Sequence, residues 1–194
     1  DPASGARPFR LDGDNLPLDA IMLDGEPLGG NAYAHDEAGL VVHEPPRAFT
    51  LTTTTTIAPA DNTALEGLYM SGGKYTTQCE AEGFRRITYF LDRPDVLATY
   101  TVTIRADRAR YPVLLSNGNL VDAGELAGGQ HYAVWHDPFP KPSYLFALVA
   151  GDLAALEAAV RGLGLSAFVP TAPRNRISGG AGLAMPSRDA PLRL

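Results

Sequence analysis

"TYTVTIRAD", Thr99–Asp107, sets Tyr100, Val102 and Ile104 against Thr101, Thr103 and Arg105. That alternation is the period of a β-strand with one buried face, because successive side chains of an extended chain point to opposite sides. Strand signals recur around it at short spacing. "AFTLTTTTTIAPADNT", Ala48–Thr63, is a long β-branched stretch, and threonine suits a half-exposed strand. Asp12-Gly13 and Asp24-Gly25 punctuate the short strands "PFRL" and "LDAIML". "SNGNLVDAGEL", Ser116–Leu126, reads as a hairpin turn centred on Asn-Gly. "HYAVWHD" and "SYLFALVAGD" supply two more strands about a proline-rich elbow, "DPFPKP". The chain is therefore expected to be all-β, an antiparallel sandwich or saddle-shaped sheet.

Two segments depart from this pattern. In "GFRRITYFLDRPDV", Gly83–Val96, the periodicity fails, and a short helical segment is expected near 83–95. "LAALEAAVRGLG", Leu153–Gly164, is helix-prone, and a helix is expected near 152–161. "PTAPRNRISGGAGLAMPSRDAP", Pro170–Pro191, has the composition of a linker. The expected organisation is a β domain over 1–156 and a basic, Pro/Gly-rich tail over 157–194.

A hydrophobic fraction of 45% and a charged fraction of 20% are those of a soluble globular protein. No apolar run approaches the ~20 residues that span a bilayer. "DPASGARPFR" has neither the basic start nor the apolar stretch of a signal peptide. Cys79 is the single cysteine, so no intrachain disulfide can form. These features lead us to expect a cytoplasmic protein with no membrane partner. The net charge of −6 is the wrong sign for a general nucleic-acid binder. Residues 157–194 hold five arginines against Glu157 and Asp189, a local +3, which leaves −9 on residues 1–156.

Most chemical signatures are missing. His35, His43, His131 and His136 contain no pair spaced four apart, as a helical His-Glu-x-x-His zinc site requires. Cys79 has carboxylates for sequence neighbours, which raise a thiol pKa, so it reads as a small core residue. There is no Gly-x-Ser-x-Gly elbow, phosphate loop or dinucleotide fingerprint. The remaining candidate is "TTQCEAEGFRR", Thr76–Arg86. If Thr76–Glu82 is extended, Gln78, Glu80 and Glu82 share one face and Cys79 the other. Adjacent carboxylates repel unless a cation answers them. Arg85 and Arg86 answer in one reading, as a structural ion-pair network. In the other, a ligand ammonium supplies the charge. A hybrid pairs Glu82 with an arginine and leaves Glu80 and Gln78 free.

The stretch from Asn62 through "TALEGLY", "TQCEAEGFR" and "LDRPDV", with "LLSNGN" and "DPFPKP" further on, closely resembles the N-terminal domain of the bacterial aminopeptidase N (alanyl aminopeptidase) family, zinc-dependent gluzincin metallopeptidases. The similarity runs from about Phe9 to about Leu156, and the motifs together are highly specific. The resemblance implies a β-saddle packed on a separate thermolysin-like catalytic domain. It also implies that Gln78 and Glu80, at the "TQ-x-E" positions, hold the free α-amine of a peptide substrate. A glutamate of a Gly-x-Met-Glu-Asn motif in the catalytic domain shares that task. Glu82, Arg85 and Arg86 are expected to be structural.

In that family the zinc site and the hydrolytic residues lie outside this domain. The expectation is a substrate-anchoring domain with no metal of its own, inactive alone, whose full-length enzyme uses Zn²⁺. The alternative is a non-catalytic β-sandwich binding or scaffold module.

Overall fold

The computed structural model describes residues 7–160, 163–170 and 192–193. The described chain opens with β1 (Phe9–Asp12), β2 (Ala20–Leu23), β3 (Glu26–Pro27), β4 (Tyr33–Asp36), β5 (Gly39–Val42) and β6 (Leu51–Thr54). These form two antiparallel sheets, ordered β1-β5-β4 and β3-β2-β6. Asp24 and Gly25 make a two-residue hairpin between Leu23 and Glu26, with φ of 51° and 88°. Paired positive φ values match the strand twist, which is why Asp-Gly signals this turn. Leu40 and Val42, on the central β5, are 0% and 1% exposed. With Leu11, Leu16, Ile21 and Tyr89 they form the core that the surrounding apolar side chains cover. The threonine run is only partly strand: Leu51 and Thr53 are half-buried, Thr52 and Thr54 exposed, and the chain then leaves the sheet.

Next come β7 (Gly67–Ser71) and β8 (Lys74–Gln78), hydrogen-bonded neighbours across Gly72-Gly73. The helical segment expected near 83–95 is realised as one 3₁₀ turn, Phe84–Arg86. It stops there because the backbone is used elsewhere: Asp12 and Phe90 exchange N–H···O bonds of 2.8 and 3.1 Å. A donor engaged in such a bridge cannot serve a helix.

β9 (Ala98–Asp107) carries the opening alternation as expected, with Tyr100 and Ile104 buried and Thr101, Thr103 and Arg105 exposed. It is followed by β10 (Val113–Ser116), β11 (Asn119–Glu125), β12 (Gln130–Lys141) and β13 (Leu148–Gly151). The Asn-Gly hairpin expected at Asn117-Gly118 does not form. β10 pairs with β13 and β11 with β12, so the dipeptide crosses from one ladder to another. Two tertiary contacts override the local turn code. The Asn117 Oδ1 accepts the Ala147 N–H at 2.6 Å, and Gly118 (φ +86°) lies where a Cβ would come 2.3 Å from the His136 carbonyl oxygen. β12 also runs through the "DPFPKP" elbow instead of ending before it. Trp135, 2% exposed, donates its indole N–H to the Leu114 carbonyl at 3.1 Å.

The helix expected near 152–161 is a strand. β14 (Leu153–Val160) pairs antiparallel with β15 (Leu163–Pro170), from Leu153↔Pro170 to Val160↔Leu163, and β15 pairs with β16 (Leu192–Arg193). Helix propensity over eight residues is a weak preference, and a short helix is marginal without packing. A full-length ladder partner overrides it. The linker composition read over residues 171–191 lies outside the described residues. The described chain falls into two units. One takes the residues up to Ser71 with Tyr75–Thr99 and Phe139–Phe146; the other takes Gly72–Lys74, Tyr100–Pro138 and the residues from Ala147 on. Each register determined between described strands is antiparallel, as the all-β expectation required.

Candidate functional site

β8 ends at Gln78, so the extended reading of Thr76–Glu82 holds only to that residue. The chain then turns back. Gly83 N–H donates to the Cys79 carbonyl at 2.9 Å, and Arg86 N–H to the Gly83 carbonyl at 3.1 Å. Gly83 is buried so tightly that a Cβ there would sit 2.4 Å from the Gln78 carbonyl oxygen. Cys79 (3% exposed) and Phe84 (5%) anchor the two ends of the turn in the interior. Phe84 packs edge-on against Phe90 and Phe146, with centroids 5.1 and 4.9 Å away. Between these anchors Glu80, Ala81 and Glu82 are exposed, as is Gln78. The Gln78 side-chain amide reaches the Glu80 backbone carbonyl at 3.3 Å, and the Glu80–Ala81 peptide bond is cis. A turn fixed at both ends thus projects Gln78 and Glu80 together.

The arginines are committed elsewhere. Arg85 bonds Asp92 through Nε at 3.0 Å and meets Glu82 at 3.2 Å. Its backbone N–H also donates to the Asp92 carboxylate at 3.1 Å. Burial opposes the Arg85 charge, but the Asp92 hydrogen bond and the charges of Asp12, Asp92 and Glu82 hold its proton more tightly than in a free arginine. Arg86 pairs with Asp14 at 2.8 Å and Glu66 at 3.2 Å. Glu82 is therefore the structural partner of an arginine, as one reading of the sequence had it. Among the described residues the Glu80 carboxylate has no ion-pair partner. Cys79 lies inward, away from this chemistry. Burial first, and the Asp92 charge second, push its thiol up to about 12. A thiol so placed is no nucleophile at neutral pH.

Asp92, which is 2% exposed, is not singled out by the sequence pattern. Its signal was faint, an acid inside the aperiodic "LDRPDV". A cavity of about 580 Å³ adjoins the turn, lined by Asp14, Glu37, Glu66, Glu82, Arg85 and Arg86 among others. Gln78 and Glu80 are not in that lining, and its arginines are already paired, so it adds no second anchor for the exposed pair. The histidines are dispersed. His43 contacts the Asn31 carbonyl, His131 the Tyr111 carbonyl and His136 the Thr101 hydroxyl, at 3.2, 2.8 and 3.0 Å. Among the described residues no group of three His, Cys, Asp or Glu side chains is placed to hold a metal ion. Zinc does not fit the residues described here.

Residues 31–145 match the family described as the peptidase M1 N-terminal domain. The chain belongs to that family. This M1 N-terminal domain is 60% identical to aminopeptidase N of Caulobacter vibrioides over 149 residues, and 56% identical to that of Escherichia coli over the same length. Each match covers 77% of this chain and 17% of the relative. The chain therefore spans about a sixth of the length of those enzymes. Among solved structures it superposes on Legionella pneumophila aminopeptidase A in complex with aspartic acid, with a TM-score of 0.80 and 40% identity. That match covers 84% of this chain and 20% of the other. It also shares its fold with the M1 zinc metallopeptidase of Deinococcus radiodurans, at a TM-score of 0.67 and 19% identity, over 78% of this chain and 36% of that one.

Proposed function

We propose that this domain is the substrate-anchoring part of a zinc-dependent aminopeptidase, in which Glu80, aided by Gln78, binds the free α-amine of a peptide. The observation that carries the reading is the division of the charges. Arg85 and Arg86 are taken by Glu82, Asp92, Asp14 and Glu66, while Glu80 stands on the turn with no cation of its own among the described residues. Resemblance to the aminopeptidase N family, at the "TQ-x-E" positions Gln78 and Glu80, supports the same assignment. Once a catalytic domain covers the pair, a carboxylate stripped of water needs a positive partner, and an α-ammonium supplies it through charge-assisted hydrogen bonds. A blocked N-terminus brings no such charge, so the anchor selects for free amines. Fixing the amine also sets which peptide bond reaches the reacting centre. Metal-assisted hydrolysis belongs to the rest of the enzyme, which is cytoplasmic in this reading, and no step of it falls on the residues described here.

The test is Glu80→Ala in the full-length enzyme that carries this domain. We expect kcat/KM on an alanyl substrate to fall at least tenfold, about 1.4 kcal/mol of transition-state binding. Unchanged kinetics would sink the assignment.

A further inference from the structure

Behind the exposed pair lies a polar group with no place in amine binding itself. Asp92 is 2% exposed, and its carboxylate accepts from Arg85 Nε at 3.0 Å, the Arg85 backbone N–H at 3.1 Å and the Ser143 hydroxyl at 2.5 Å. Its backbone joins in as well: the Asp92 carbonyl accepts from Arg85 Nη2 at 2.9 Å, and its N–H donates to Asp12 Oδ2 at 3.1 Å. One buried residue thereby ties the end of the Cys79–Arg86 turn to two distant stretches of chain. Burying a carboxylate is costly unless it is paired and hydrogen-bonded, and Asp92 is both. Arg85 is the only link between Asp92 and the turn among these bonds, and it sits in the same turn as Glu80. Asp92 and Glu82, at 3.0 and 3.2 Å, hold the guanidinium between them and with it the end of the turn.

We propose that Asp92 is a positioning residue which, acting through Arg85, fixes the turn that presents Gln78 and Glu80. The proposal rests on the amine-anchor reading above. Steady-state kinetics of the full-length enzyme on an alanyl peptide test it, with Glu80→Gln, Asp92→Asn, Ser143→Ala and the two double variants that combine Glu80→Gln with each of the others. Thermal unfolding runs alongside to report the folded fraction. Asp92→Asn is expected to raise KM about fivefold or more in the parent enzyme and to add less than about twofold in the E80Q background, the non-additivity of residues that act as a unit. A purely structural role lowers activity by the same factor in both backgrounds, and that result overturns the proposal. So does a folded Asp92→Asn enzyme with unchanged KM. If Asp92→Asn does not fold, Ser143→Ala decides the matter by the same comparison. Its KM rise must be present in the parent and absent in the E80Q background. A silent Glu80→Gln removes the amine-anchor reading and this proposal with it. A costly Glu80→Gln with additive Asp92→Asn removes the proposal alone.

Discussion

Cys79 and the acids around it define the residue scale. The thiol is 3% exposed, and its ionisation is pushed up to about 12, by burial first and by Asp92 second. An unfolded cysteine ionises at about pH 8.5. Between those two values the native state holds a proton that the unfolded state has lost, so stability falls as pH rises across that window. Below it both states are protonated and the group adds no pH dependence. Cys79→Ala is therefore expected to flatten the decline in unfolding free energy measured by urea titration between pH 9 and pH 11. A decline of equal slope in both proteins would count against the assignment. The native thiol should also resist alkylation at pH 8 and react once urea unfolds the chain. That Cys79 belongs inside was legible in the sequence, but the reason was not. Neighbouring Glu80 and Glu82 suggested charge repulsion, whereas desolvation dominates and the carboxylate that matters is Asp92, remote in the chain.

At the scale of elements, the turn after β8 depends on close packing at Gly83. A Cβ there meets the Gln78 carbonyl oxygen at 2.4 Å and the Cys79 Cα at 3.1 Å, both backbone atoms that cannot rotate aside. Gly83→Ala is expected to destabilise the domain by about 1–3 kcal/mol and to displace the turn that carries Glu80. Thermal melts check the first effect; the KM of the full-length enzyme checks the second. A variant with parental Tm and KM would show that the turn relaxes freely. The strands with clear alternation, such as Thr99–Asp107, and the Asp24-Gly25 hairpin were legible because their signals are local. Strand parity past Gln78 was not, since nothing within Thr76–Glu82 announces that Gly83 pulls the chain back onto the Cys79 carbonyl. Leu153–Val160 and Asn117-Gly118 failed for a related reason. Their propensities are weak compared with the ladders that capture them, whose partners lie elsewhere in the sequence.

For the whole molecule, the division of labour between this domain and the rest of an aminopeptidase leads to a direct expectation. The purified 194-residue chain, supplied with zinc and a chromogenic alanyl substrate, should neither hydrolyse it nor retain stoichiometric metal by elemental analysis. Turnover would overturn that expectation. Calorimetry with a dipeptide should give a Kd of roughly millimolar or weaker, because an exposed carboxylate and amide hold an ammonium poorly while water competes. The sequence by itself determined the β class, Cys79 as a core residue and the family, since all of these are written in short-range alternation and contiguous motifs. Only the tertiary structure decided which acids Arg85 and Arg86 take, that Glu80 pairs with no cation among the described residues, and that Asp92 and Ser143 support the turn. Those outcomes depend on charges brought within 4 Å of one another from chain segments that share no local pattern, and burial, not spacing, sets their strength.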